Sequence, residues 1–265
     1  MVEGKLKLSR YVERLQGTGR YCFTSEDIAD AVQGSTAAHE VALRRLTVKN
    51  WIVSPHNGFY VIVPVEYRSA GAPPASWFVD DLMQYLGRRY YVGLLTAAAI
   101  HGAAHQQPQV FQVITNTPMR NVTVGRVQLD FHRNRHTNKV QVMRLKTETG
   151  TMCVSTPEAT ALDLVRYARV AGNMDNVATV LIELAERMKP ERLMETARSA
   201  SPPDVQRLGY LLERLGFGPL AKALTRQVSS CRLRPVMLAT QLKTDRSAHD
   251  PRWYVIPNVE VVPDL

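Results

Sequence analysis

Arg44, Arg45 and Lys49 are clustered on a stretch, residues 35–49, whose helical wheel has two distinct faces. At about 100° per residue, Ser35, Ala38, Ala42, Leu43 and Leu46 share one side with His39, while Ala37, Glu40, Val41, Arg44 and Val48 lie opposite. An arginine flanked by small side chains can do recognition chemistry. Arg44 can pair with a guanine edge in a major groove, and Ala37 or Val41 can touch a thymine methyl. Ser35, Thr36, Arg45, Lys49, His56 and Asn57 are placed to hold such a helix and a following hairpin against phosphates or an adjacent minor groove. The alternative for the three cations is a solvated helix face. His39, on the packed side, reads as a core residue.

Reaction machinery is sparse by comparison. The chain has no Gly-rich phosphate loop, no Gly-x-Ser-x-Gly elbow and no His-Glu-x-x-His. Its only Gly-Ser pair, Gly34-Ser35, precedes the helix just described, so it is not the turn that a nucleotidyltransferase would use to present metal-binding carboxylates. Asp130 and Asp163 are isolated in sequence. Asp80 and Asp81 are adjacent and would diverge by about 100° on a helix, which reads as a solvated face near a helix start. His101 and His105 have the spacing of paired metal ligands, but Gly102 lies between them and no third ligand is evident. Cys22, Cys153 and Cys231 are far apart and odd in number, and read as buried thiols. No catalytic residue, metal or cofactor is assigned.

The elements around residues 35–49 explain why that helix would be presented. Residues 4–16 carry Leu8, Tyr11, Val12 and Leu15 as a core-facing stripe, with Arg10 and Arg14 opposite as either phosphate contacts or solvated charges. Thr24-Ser25-Glu26-Asp27 nearly matches a capping box opening a second helix that buries Ile28, Ala31 and Val32 and ends at Gly34. Ser35 caps the third. Residues 51–54 and 59–63 are then β-prone runs around Pro55-His56-Asn57-Gly58, and Asn-Gly tolerates the positive φ of a tight hairpin. The expectation is a winged helix-turn-helix over residues 1–66.

The 265 residues are 45% hydrophobic and 22% charged, ordinary for a globular chain long enough for two domains. There is no apolar signal-peptide core and no run approaching a membrane span, so a cytoplasmic location without membrane contact is expected. The formal charge of +9 favours a polyanionic partner. Residues 1–64 hold eight Lys/Arg against six Asp/Glu, whereas 116–146 hold Arg120, Arg126, Arg133, Arg135, Lys139, Arg144 and Lys146 against Asp130 alone. Most of the excess charge is thus expected on a second basic surface, which suits nucleic acid, an acidic protein or plain solvent.

Residues 67–76 are small and Pro-containing and read as a linker. Residues 77–265 follow as a larger mixed α/β domain: helices over 76–86 and 90–102, a mostly antiparallel sheet from strands at 109–115, 122–124, 127–132, 140–145 and 151–155, then helices over 156–170, 176–188, 190–199, 203–215 and 218–227, with strand-like ends at 236–239 and 253–262. The fold class is α+β.

This order of segments resembles the AbiEi family. The resemblance is carried by Tyr90-Tyr91-Val92-Gly93-Leu94-Leu95-Thr96-Ala97-Ala98-Ala99-Ile100-His101-Gly102, Ser155-Thr156-Pro157-Glu158-Ala159-Thr160-Ala161-Leu162-Asp163-Leu164, Leu208-Gly209-Tyr210-Leu211-Leu212 and Trp253-Tyr254-Val255-Ile256-Pro257-Asn258-Val259. It implies a bacterial antitoxin and transcriptional regulator of a type IV toxin–antitoxin (abortive-infection) system. Such a protein represses its own promoter at inverted repeats in double-stranded DNA, as a monomer or weak dimer, and counteracts a nucleotidyltransferase-like toxin without a stable complex. A regulator lacking a toxin, or a winged helix used as a protein-interaction module, are the other readings.

Overall fold

The computed structural model describes residues 6–103, 108–229, 233–242 and 248–263. Its N-terminal elements are α1 (Leu8–Gly17), β1 (Cys22–Thr24), α2 (Ser25–Ala31), α3 (Thr36–Val48), β2 (Ile52–His56) and β3 (Phe59–Ile62). Strands β1 and β2 flank β3, both antiparallel, with Phe23 opposite Tyr60 and Val53 opposite Val61. Each helix starts where its side chains dictate. Thr24 and Asp27 form a complete capping box on α2, the backbone N of Thr24 donating to Asp27 at 2.7 Å, and Ser35 accepts from Ala38 N on α3. Leu8, Tyr11, Val12 and Leu15 of α1 pack with Phe23, Ile28, Leu43, Leu46, Ile52 and Ile62 in one apolar core.

Two short 3-10 turns, Val65–Tyr67 and Ala75–Trp77, lead to α4 (Val79–Tyr85). Residues 67–76, read in the sequence as a linker, are packed. Ala72 and Ala75 are buried, Arg126 N donates to Ala70 O at 2.7 Å, and a Cβ on Gly125 would lie 2.3 Å from Ala70 O. Small residues here serve close backbone approach, which composition alone cannot tell from flexibility. The compact unit that contains the N-terminal elements accordingly spans 1–90, 109–135 and 144–153, and a second one spans 91–108, 136–143 and 154–265.

The remaining elements are β4 (Tyr90–Val92), α5 (Leu94–Ile100), β5 (Phe111–Thr115), β6 (Val122–Val124), β7 (Val127–Arg133), β8 (Val142–Lys146), β9 (Thr151–Ser155), α6 (Pro157–Arg166), α7 (Asn173–Ala185), α8 (Pro190–Ala197), α9 (Pro202–Arg214), α10 (Gly218–Ser229), β10 (Val236–Met237) and β11 (Val255–Ile256). The larger sheet has the order β6-β7-β5-β4-β9-β8. It is mixed where a mostly antiparallel sheet was expected: β5 runs parallel to β7 and β4 parallel to β9, while β6 and β7 form an antiparallel hairpin. Alternation of side chains reports a strand's faces and is silent about its direction. The fold class is mixed α/β.

Residues 90–92 are a strand where a helix was expected to begin. Tyr91 and Val92 are buried, and a short apolar run fits a covered parallel strand as well as a helix. In the second unit, α6 to α10 pack around Leu164, Val177, Leu181, Leu184, Leu208 and Trp253. Gly209 marks a tight contact there, because a Cβ at that position would lie 2.0 Å from the Trp253 ring. Among the described residues, no helix is long and apolar enough to cross a membrane.

Candidate nucleic-acid interface

Helix α3 is held from below and open above. Of its thirteen residues only Leu43 and Leu46 are buried. They seat the helix in the core, and Thr36, Ala37, Glu40, Val41, Arg44, Arg45 and Lys49 are left exposed together with the cap Ser35. Arg44 and Arg45 make no ion pair among the described residues. Lys49 has its ammonium 6.0 Å from the Trp51 ring, and Arg68 covers the same ring at 5.1 Å. Asn50, in the left-handed region at φ 53°, ends the helix. His39 departs from its expected core position: it is half-buried, with Nε2 3.2 Å from Gln33 O, and fastens the α2–α3 turn.

His56 and Asn57 form the exposed β2–β3 turn with Gly58 at φ 76°. Ser54 Oγ stands 2.8 Å from His56 O and 3.0 Å from Phe59 O, and His56 Nδ1 is 3.1 Å from Asn57 O.

All seven residues of the expected basic surface are exposed, yet they do not form one face. Arg144 and Lys146 lie on β8, at one edge of the six-stranded sheet; Arg126 and Arg133 lie on the β6–β7 hairpin at the other edge. Arg120 and Arg135 occupy flanking loops, and Lys139 ends a 3-10 turn in the second unit. Arg126 is brought near the end of α3. It lines a cleft of about 500 Å³ with Thr47, Asn50, Ser54, Arg68 and Ser69, and no carboxylate is among the lining residues.

The aspartates read as solvated have partners. Asp80 accepts from Tyr90 Oη at 2.8 Å and Gln84 Nε2 at 2.6 Å, and pairs with Arg144 at 3.5 Å. Asp81 is hydrogen-bonded to the Cys22 thiol; burial first, then the Asp81 charge, pushes that thiol up, so Cys22 is no ready nucleophile. Sequence periodicity carried no signal for either contact, since the partners come from distant segments.

The remaining candidates are consumed by their own fold. Asp163 is buried, accepts from Tyr91 Oη at 2.9 Å, and is pushed up to about 7, mainly by burial. Asp204 joins Arg166 at 3.3 Å and Arg207 at 3.6 Å. His101 Nε2 donates to Ser155 O at 2.7 Å, and His105 and Cys231 lie outside the described residues. No group of three or more His, Cys, Asp or Glu able to hold a metal occurs among the described residues.

The family described as AbiEi antitoxin C-terminal domain matches residues 91–214. No curated protein matches the sequence. Among solved structures, the RV2827C protein from Mycobacterium tuberculosis shares the fold, with a TM-score of 0.62 at 18% identity over 93% of this chain and 89% of that one. An antigenic nucleotidyltransferase-like protein from Paracoccidioides brasiliensis gives a TM-score of 0.34 at 10% identity over 57% of this chain and 90% of that one, too low for a common fold.

Proposed function

We propose, from the match of residues 91–214 to the family described as AbiEi antitoxin C-terminal domain, that the chain is the antitoxin of a type IV toxin–antitoxin operon and the sequence-specific repressor of its own promoter. Residues 1–66 are the DNA-binding winged helix, with α3 the recognition helix and β2–β3 the wing. Residues 77–265 carry the antitoxin role, counteracting a nucleotidyltransferase-like toxin in the cytoplasm without a stable complex.

The observation that carries the DNA reading is α3 itself, a capped helix fixed by two leucines with its polar and small residues turned outward. A helix so presented suits a major groove. Arg44 reads a base; Thr36, Arg45 and Lys49 meet phosphates while Ser35 orients the helix start; Ala37, Glu40 and Val41 line the groove; His56 and Asn57 extend the contact. Arg68 and Arg126, in a cleft lined by hydroxyls and an amide, favour a phosphodiester passing the C-terminal end of α3.

A second reading has its own support. Val41 is 40% and Val48 80% exposed on the same helix, and the charge of residues 1–64 is only +2, which suits a protein-interaction module.

Fluorescence anisotropy separates the two. Full-length protein is titrated onto the duplex upstream of its gene and onto a scrambled duplex over a salt series. The regulator reading expects the upstream duplex to win by about a thousandfold or more, and Arg44→Ala to cost about 1–3 kcal/mol on that duplex while relaxing one base position. Equal, weak binding to both duplexes turns α3 into a protein-binding face. Co-expression with the neighbouring toxin gene tests the other half, and growth no better than with toxin alone would remove the antitoxin role.

A further inference from the structure

The tip of the β2–β3 hairpin is held from outside. Asn57 O accepts a hydrogen bond from Tyr85 Oη at 3.1 Å, and Gly58 O accepts from Ser25 N at 2.9 Å. The Tyr85 ring lies 5.4 Å from that of Phe59 and 6.1 Å from that of His56. The approach is close enough that a Cβ on Gly58 would stand 2.6 Å from Tyr85 Oη, in addition to the strain of a left-handed φ. The left-handed φ favours glycine at that position.

Tyr85 belongs to α4, which has further anchors of its own. Its Asp81 is bonded to Cys22 on β1, and its Asp80 is held by Tyr90 and Arg144. β1 pairs with β3 only as far as Phe59, so the tip at His56–Gly58 lies beyond the three-stranded sheet. Here a side chain from a separately anchored helix fixes the tip, and it does so at the surface, with Tyr85 still 40% exposed.

We infer that Tyr85 is the positioning residue of the wing, setting where His56 and Asn57 meet the DNA backbone. This rests on the reading of β2–β3 as a DNA-contacting wing. Tyr85 is not among the residues of the apolar cluster from Leu8 to Ile62. Removing its hydroxyl therefore leaves the packing of that cluster untouched.

The test uses the full chain with Tyr85→Phe, Tyr85→Ala and His56→Ala, alone and combined, on the upstream and scrambled duplexes, with unfolding midpoints recorded in parallel. Losing one hydrogen bond from the clamp should loosen upstream binding about fivefold in Tyr85→Phe, and Tyr85→Ala should lose about tenfold or more. Scrambled-duplex binding should fall in the same proportion, since backbone contacts carry no sequence, while the Tyr85→Phe midpoint stays at its wild-type value. His56→Ala should cost several-fold in the wild type and little in Tyr85→Ala, the non-additivity expected of residues acting through one geometry. If the wild type discriminates between the duplexes but both Tyr85 variants bind like it, or the His56 and Tyr85 effects simply add, the positioning role is overturned and the DNA reading stands. If the wild type does not discriminate, both fall together. Should Tyr85→Ala fail to fold, Tyr85→Phe, which keeps the ring, still decides.

Discussion

Polar residues on α3 and on α6 and α9 have opposite surroundings. Arg44 and Arg45 are exposed and make no ion pair among the described residues. Asp163, Asp204, Gln206 and Arg207 are buried, and each bonds within its own unit: Asp163 to Tyr91, Asp204 to Arg166 and Arg207, Gln206 to Trp253 O at 2.9 Å, and Arg207 to Met237 O at 2.9 Å. Burying such groups is tolerable only when they are paired. The segments that carry the family resemblance are mostly of this second kind. Ser155 and Thr160 bond each other at 2.7 Å, and Gly209 exists to admit Trp253. Motifs of this sort identify a fold, and surfaces such as α3 are where a partner must be sought.

The contrast is broken most severely at Gly209. Gly209→Ala places a methyl group inside the Trp253 ring contact, and the helix or the indole must shift; a loss of about 3–5 kcal/mol is expected. Urea unfolding measures it. A variant as stable as the wild type would mean that Trp253 repacks freely and that this part of the second unit is less constrained than its burial implies.

A smaller effect is expected at Asp163, with a sign fixed by linkage. Its folded-state pKa of about 7 lies above the ordinary 3.8, so the neutral side chain is favoured by the fold. The stability it contributes is fully present below pH 4 and is lost as pH rises toward and through 7. Asp163→Asn keeps an acceptor for Tyr91 and cannot ionise. It should match the wild type near pH 4 and exceed it at pH 8 by on the order of 2–4 kcal/mol. Parallel pH profiles of unfolding free energy for the two proteins would show that the carboxylate is stabilised by charge partners rather than penalised by burial.

Local chemistry was legible in the chain and long-range pairing was not. The Thr24 box, the Ser35 cap, the Pro157 helix start and the Asn57-Gly58 turn depend on residues a few positions apart, and each lies where its side chains dictate. Tyr90–Val92 reads as helix in the sequence because a short apolar run does not reveal which strand will cover it. Residues 67–76 looked like a linker because Gly and Ala serve both loose chain and tight packing. In the candidate interface, periodicity found the outward side of α3 but not Tyr85, whose partner Asn57 is 28 residues away. The basic residues between 116 and 146 looked like one face because strand order is invisible to alternation, and two sheet edges separate them.

That separation gives the mildest prediction and the sharpest use of the comparison. Arg133 and Arg135 are exposed, at the end of β7 and just beyond it. If they touch DNA phosphates as proposed for α3, Arg133→Glu with Arg135→Glu should flatten the slope of log affinity against log salt by about one to two units, since each lost phosphate contact removes about 0.9. The scrambled duplex should lose affinity in the same proportion, because phosphate contacts carry no sequence. Arg44→Ala should do the reverse, changing discrimination more than salt dependence. If the double reversal alters neither the slope nor the proposed protection from a toxin, these arginines take no part in either role, and the proposed surface contracts to α3, the β2–β3 hairpin and the Arg68–Arg126 cleft.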